Sequence, residues 1–284
     1  PVRAASAKHR SKLMPIDPST QSIDIRRIFT GLALAAVLLL ALWIRGLPLL
    51  FVILLVCALG LWEFYSLFWG SSRVPSRICA IVLGWCMICL TWLHRPQDAL
   101  VCLGAGFVLA SMSFLFRWDV VEDDNAFASS GIFMAGLAYV PLLLLPATYL
   151  STTKLIFVIA AVAISDTTAY FVGTRFGHHK LWPRVSPKKS SEGAVGSLVG
   201  CVIFCAIYGE IYGKTGWFSF ALLGIAINAF AQLGDLFESA LKRSVNIKDS
   251  GNLLPGHGGI LDRADSLLFA MPMVAVVDQW FFFF

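Results

Sequence analysis

Residues 154–173 read KLIFVIAAVAISDTTAYFVG. As a helix rising about 1.5 Å per residue, this stretch is about 30 Å long, the thickness of a hydrocarbon core. Its only carboxylate, Asp166, lies deep in the run beside Ser165, Thr167 and Thr168. A charged residue at that depth costs about 2.5–3.5 kcal/mol on insertion scales, so it needs a functional reason. The stretch therefore announces both a membrane span and a polar site within it.

The rest of the chain is of the same kind. Of its 284 residues 58% are hydrophobic and 14% charged, with a mean hydropathy of +0.77. An average soluble domain carries about 25% charged residues. The longer polar stretches, 1–27, 174–192 and 242–259, are each too short to hold a core of their own. The pattern predicts an all-α, polytopic integral membrane protein of about nine spans, near 28–44, 47–69, 78–93, 99–116, 131–150, 154–173, 193–212, 217–241 and 260–281. We divide it into a basic tail (1–27), N-terminal transmembrane helices (28–150) and a C-terminal region (151–284) that carries the chemistry.

Lys and Arg set the orientation. With the N-terminus inside, all of the 22 except Arg45, Arg95, Lys154 and Lys214 fall on the inner side. This predicts a cytoplasmic tail and an outer C-terminus, in an inner (cytoplasmic) bacterial membrane. The net charge of +5 is this bias and gives no reason to expect nucleic acid as a partner. The seven cysteines all sit in apolar runs, and the CxxC of Cys86 and Cys89 falls inside WCMICL, so they read as packing residues. Glu63 reads as a lone structural residue near an interface, the run Glu122, Asp123, Asp124 as a solvated loop, and Asp278 as an outer-interface residue. The FFFF ending has no account at this level.

The carboxylates of the second half form a pattern. Asp235, Glu238 and Ser239 share a helix face, continued by Lys242, and Asp262, Asp265 and Ser266 repeat the spacing at the start of the last span. Two such faces converging at one depth repel unless cations neutralise them. Lys and Arg are candidates, and so is a hard metal with oxygen ligands, Mg²⁺ above all. Between the two helices PGHGG (255–259) offers glycines whose N–H groups can approach an anion, with Lys242, Arg243, Lys248 and Arg263 nearby. Phosphates together with a divalent metal suit this set. A second basic loop, SPKKSSEG (186–193), also reads as a helix N-terminus at Ser190, Ser191 and Glu192.

The string SALKRSVNIKDSGNLLPGHGGILDRAD, residues 239–265, resembles the signature of phosphatidate cytidylyltransferases, also called CDP-diacylglycerol synthases. SDTTAYFVG (165–173) with Phe176 and Gly177, and the SPKK…EG loop, resemble that family too, although Ser190 stands where the family often has Thr. The likeness is strong over 165–272 and only one of hydrophobicity before residue 130.

The resemblance implies an all-helical membrane enzyme, typically a homodimer with its active site opening to the cytoplasm, that turns CTP and phosphatidate into CDP-diacylglycerol and pyrophosphate with Mg²⁺. It places a paired-metal site, in which a second metal or a monovalent cation has room, on Asp235, Asp262 and Asp265. Within that reading Lys242, Arg243, Lys248 and Arg263 hold the triphosphate or the lipid phosphate, and Lys188 and Lys189 contact CTP. The backbone of Gly256, Gly258 and Gly259 cradles an anion and His257 donates a hydrogen bond. A phosphate monoester is already ionised at neutral pH (second pKa about 6), so His257 is not needed as a base. Two alternatives stand beside this: a CTP-dependent polyprenol kinase, and an ion-coupled transporter using Asp166, Asp235 and Asp265 as a relay.

Overall fold

The computed structural model describes residues 25–247, 250–251, 258–281 and 283–284. Lys248, Gly256 and His257 lie outside the described residues. The elements in chain order are α1 (Ile25–Ile44), α2 (Gly46–Trp69), α3 (Val74–Trp92), α4 (Pro96–Asp119), α5 (Ala126–Tyr139), α6 (Pro141–Leu144), α7 (Pro146–Tyr149) and α8 (Thr152–Phe176), then β1 (Lys180–Trp182) and β2 (Ser186–Ser190), then α9 (Ser191–Tyr212), α10 (Gly216–Ser244) and α11 (Leu261–Trp280).

Helical segments fall at each of the nine expected positions, and among the described residues seven are long and apolar enough to cross a membrane, with Ala126–Tyr149 (α5 to α7) counted as one. The remaining two are α1, whose apolar part is Gly31–Ile44, and α11, which carries Asp262, Arg263, Asp265 and Asp278. The architecture is that of an all-α polytopic integral membrane protein. The expected span 131–150 is broken, because Pro141 and Pro146 each lack an N–H and clash with the preceding turn. They split its second half into two single turns. The segment expected as a polar loop, 174–192, holds an antiparallel hairpin, with Lys180 opposite Ser190 and Trp182 opposite Ser186.

Two groups of helices form the bundle. In the first, α2, α3, α4 and α5 pack as antiparallel neighbours. In the second, α9 lies between α8 and α10, and α11 packs on α10 and reaches both α8 and α2. Hydrophobic burial drives little association inside lipid, so close packing through small residues has to do the work. A Cβ on Gly200 would fall 2.5 Å from Thr168 Cγ2, and one on Gly196 2.6 Å from Val172 Cβ, so α8 and α9 meet almost backbone to backbone. The neighbouring face of α9 carries Val195, Val199, Ile203, Ile207 and Ile211, all exposed at four-residue spacing, as a lipid-facing stripe requires.

Contacts at one end gather Arg45, Lys154 and Lys214, three of the four cationic residues expected on the outer side. Arg45 donates to the carbonyl of Leu150 at 3.0 Å, Lys154 pairs with Asp278 at 2.6 Å, and Lys214 N–H donates to Phe283 O at 3.0 Å, all at one end. Asp278 is thus an ion-pair partner and not merely an interfacial residue. The terminal phenylalanines also acquire a reason: Phe283 and Phe284 pack edge-on against Phe220 with centroids 5.4 and 5.3 Å apart, and Phe284 also meets Phe157 at 5.3 Å. They floor the second helix group with aromatic contacts worth about 0.5–1.5 kcal/mol each beyond burial.

Gly200→Leu is expected to lower the thermal midpoint in detergent by several degrees by prising α8 from α9. Gly104→Leu, where a Cβ meets nothing within 4 Å, should leave it unchanged. Equal midpoints for the two variants would overturn the close-packing account.

Candidate active site

The site grows from one face of α10. Asn228, Gln232, Asp235, Ser239 and Lys242 follow at alternating spacings of four and three, so they line up along one side of the helix. At the buried end Asn228 Nδ2 donates to Ser165 Oγ on α8 at 2.8 Å and to Ser197 Oγ on α9 at 2.7 Å. Gln232 Nε2 donates to Asn228 Oδ1 at 2.7 Å and to Ser197 Oγ at 2.8 Å. These side chains satisfy one another, so a polar floor persists among apolar helices and fixes α8, α9 and α10 in register.

Above the floor opens a cavity of about 520 Å³. Asp166 and Asp235 supply its carboxylates, and Lys180, Lys188 and Lys189 of the hairpin supply its cations. Lys189 Nζ lies 2.5 Å from Asp235 Oδ2, and Ser239 Oγ donates to Asp235 Oδ1 at 3.3 Å. The hairpin is held at both strands. Ser190 caps α9 by accepting from Gly193 N–H at 3.1 Å, as the helix start expected at Ser190 to Glu192 requires. Glu192 accepts from the backbone N–H of His179 at 3.2 Å and contacts its Nδ1 at 2.6 Å.

One turn further on, α10 meets the start of α11. Lys242 Nζ sits between Glu238 and Asp262, 2.5 Å from Asp262 Oδ1 and in hydrogen-bond contact with Glu238 Oε2. Asp262 Oδ2 accepts from Gly259 N–H at 2.9 Å and from the Ser250 hydroxyl at 2.9 Å. Glu63 of α2, 2% exposed, accepts from Ile260 N–H at 3.1 Å and Leu261 N–H at 2.8 Å. These are orphan donors of the α11 N-terminus, so the carboxylate both caps the helix and complements its dipole. Gly259 is required here for space: a Cβ there would lie 2.2 Å from Ser250 Oγ and 2.5 Å from Glu63 Oε2.

Asp265, 9% exposed, accepts from Ser266 N–H at 2.6 Å. Gly234 lets α11 approach, since a Cβ on it would fall 2.4 Å from Asp265 O. Asp166, Asp235 and Asp265 consequently lie within electrostatic reach of one another. Two buried polar atoms beside them, Glu238 Oε1 and Tyr139 Oη, have no hydrogen-bond partner among the described residues. Repelling carboxylates and an orphaned carboxylate oxygen form a hard-oxygen donor set that fits Mg²⁺ chemically. Among the described residues, however, no three His, Cys, Asp or Glu side chains already stand converged as a ready metal cage.

The residues expected from sequence are thus brought together unevenly. Asp235, Lys188 and Lys189 border the cavity and Asp265 faces Asp235, whereas Asp262 and Lys242 are engaged with each other one turn away. Arg243 donates to Ile247 O at 3.0 Å and is exposed, and Arg263 is exposed at the start of α11. The N–H of Gly259 is committed to Asp262, and Gly258 takes a left-handed φ of +80° that positions it. Sequence reasoning missed Glu63 as a cap, and it missed Asn228 and Gln232. The latter two were legible as the upstream continuation of the Asp235 face, whereas Glu63 had no partner nearby in sequence.

A model of the cytidylyltransferase family matches residues 25–281. Similar proteins include the phosphatidate cytidylyltransferase of Brucella abortus, 32% identical over 252 residues that cover 87% of this chain and 90% of that protein. The phosphatidate cytidylyltransferase of Staphylococcus saprophyticus is 34% identical over 182 residues, 62% of this chain and 67% of that protein. That of Bacillus subtilis is 42% identical over 123 residues, 43% of this chain and 46% of that protein.

Glu63→Ala leaves two N–H groups at the start of α11 without acceptors, at about 1–3 kcal/mol each. The thermal midpoint in detergent should fall by several degrees, with Glu63→Gln recovering part of the loss. An unchanged midpoint for the alanine variant would remove Glu63 from the architecture of the site.

Proposed function

The chain belongs to the cytidylyltransferase family, and from that premise we infer that it joins phosphatidate to CTP, leaving CDP-diacylglycerol in the membrane and releasing pyrophosphate. The observation that carries this reading is the cavity of about 520 Å³ in which a cationic hairpin overhangs membrane carboxylates. That arrangement suits a nucleotide triphosphate arriving from water and a lipid phosphate arriving from the bilayer.

In this reading an oxygen of the lipid phosphate attacks the α-phosphorus of CTP. The bond from that phosphorus to the bridging oxygen breaks in line, and the electron pair leaves with pyrophosphate. The nucleophile is already ionised, so no side chain has to remove a proton. The barrier lies in bringing two polyanions together, and positioning with electrostatic stabilisation is the remedy. Lys188 and Lys189 receive the triphosphate, with Lys189 passing from Asp235 to the incoming phosphates. Lys242, held by Glu238 and Asp262, fixes the two carboxylate helices against each other and keeps positive charge near the reacting groups. Asp235, Asp262 and Asp265 would hold Mg²⁺, which supplies charge neutralisation to the phosphate oxygens when bound. The charge bias favours the cytoplasm for this end of the bundle.

With CTP labelled separately at the α and γ phosphates, the α label is expected in the lipid fraction and the γ label in released pyrophosphate. A γ label in lipid would mean a kinase, and no transfer to any lipid would return the transporter reading. Asp265→Asn is expected to cut turnover at least about a hundredfold while the protein still inserts and keeps its thermal midpoint. Near-normal turnover by that variant would sink the assignment of Asp265.

A further inference from the structure

The first helix group holds a second cavity, of about 250 Å³, between α2, α3, α4 and α5. Bulk water occupies about 30 Å³ per molecule, so this space is far larger than a phosphate group needs. Its lining is amphipathic. Arg73, Arg117, Ser76 and Ser113 supply polar groups, Leu109 and Phe133 supply apolar surface, and no carboxylate belongs to the lining.

The two guanidinium groups share a single counter-charge. Arg73 Nη2 lies 3.3 Å from Asp123 Oδ2, and Arg117 donates to the same oxygen through Nε at 3.1 Å and through Nη2. Asp123 Oδ1 is occupied by the N–H of Asn125 at 3.0 Å. Burial, and then the charge of Arg117, press Arg73 below its usual range, while Asp123 acts to raise it. Asp119, Glu122 and Asp124 stand nearby, but they are exposed to solvent and lie outside the lining. Arg73 is held in the left-handed region with φ +60°, a conformation that costs a non-glycine residue energy and fixes its direction. Leu109 and Ser113 are exposed along α4, the least covered of the seven apolar spans.

We propose that this cavity is a second phosphate site, separate from the cavity between α8 and α10, which takes the headgroup phosphate of a membrane phospholipid on Arg73 and Arg117 with its glycerol end against Leu109 and Phe133. Two arginines neutralised by one carboxylate lack one negative charge, which a phosphodiester supplies. Arg117 engages Asp123 through Nε and Nη2 and Arg73 through Nη2, so each planar fork has further donors with which to hold the carboxylate and a phosphate oxygen together. The site does not depend on cytidylyl transfer and would survive the failure of that reading.

The test uses full-length protein stripped of lipid in a neutral detergent, with the thermal midpoint followed against phosphatidylglycerol, diacylglycerol and inorganic phosphate in turn. Phosphatidylglycerol should raise the midpoint of the unaltered protein. Arg117→Gln should raise the half-saturating concentration about tenfold, the loss of one charge-assisted hydrogen bond. Ser113→Leu, which fills the cavity and spares the ion pairs, should do the same and covers the case in which Arg117→Gln fails to fold. A shift with inorganic phosphate that is lost in both variants would support the phosphate site with a soluble source. An equal shift with diacylglycerol would make the cavity an acyl slot, and a phosphatidylglycerol shift that both variants retain would place binding elsewhere; either result overturns the proposal.

Discussion

The carboxylate of Glu63 on the backbone N–H groups of Ile260 and Leu261 is the contact on which the site depends. It joins two segments almost two hundred residues apart in sequence, tying the first helix group to the helix that carries Asp262 and Asp265. A helix start buried among other helices has no water to turn to, so its N–H groups must find protein acceptors. A side chain from α2 supplies them, and Gly251 and Gly259 leave the room: a Cβ on Gly251 would stand 2.7 Å from Glu63 Oε1. With α11 pinned at its first turn, Asp262 is oriented by Gly259 and Ser250, and Lys242 locks α10 to it.

The second constraint is charge. Asp166, Asp235, Glu238, Asp262 and Asp265 come from three helices, and nearly every one would be costly alone at this depth. Two lysines offset part of the repulsion, Lys189 at Asp235 and Lys242 between Glu238 and Asp262. They differ in how firmly they are held. Lys242 has two carboxylate partners and is 11% exposed, whereas Lys189 has one and is 29% exposed on a hairpin at the cavity mouth. A cation with a single partner at the mouth exchanges that partner for an incoming phosphate at lower cost than one clasped from both sides. In the proposed reading that difference makes Lys189 the substrate-facing lysine and Lys242 the one that braces the helices.

How much of this the sequence disclosed depended on where the partners sit. The span positions followed from apolar length, because a hydrocarbon core demands about twenty such residues wherever they occur. The carboxylate faces followed from helical spacing within 235–242 and 262–266, where all the information is local. Pro141 and Pro146 were equally local, yet the hydrophobicity of 131–150 masked the break they impose. Glu63, Asp123 and Asp278 read as isolated or solvated because their partners are Ile260 and Leu261, Arg73 and Arg117, and Lys154, pairings that only the folded chain creates. Gly259 of PGHGG has a role that the reading of an anion cradle did not include: its lack of a side chain makes room for Glu63 and Ser250, and its N–H serves Asp262.

The hairpin of β1 and β2 explains why the site lies at the end of the bundle and not at its middle. Irregular backbone and strand edges are not tolerated against lipid, so a two-stranded ribbon has to lie at the aqueous end or over a cavity. This one lies over the cavity, and it brings Lys180, Lys188 and Lys189 from the water side while α8 and α10 bring Asp166 and Asp235 from the membrane side. The network of Asn228, Gln232, Ser165 and Ser197 forms the floor, so the cavity ends on side chains that already satisfy one another. A transport pathway needs polar groups that continue to the far side. There the described chain instead packs Phe157, Phe220, Phe283 and Phe284 into an aromatic plug. In the proposed reading the polar column is a blind pocket at the junction of two phases, a geometry that suits joining a water-soluble nucleotide to a lipid that never leaves its bilayer.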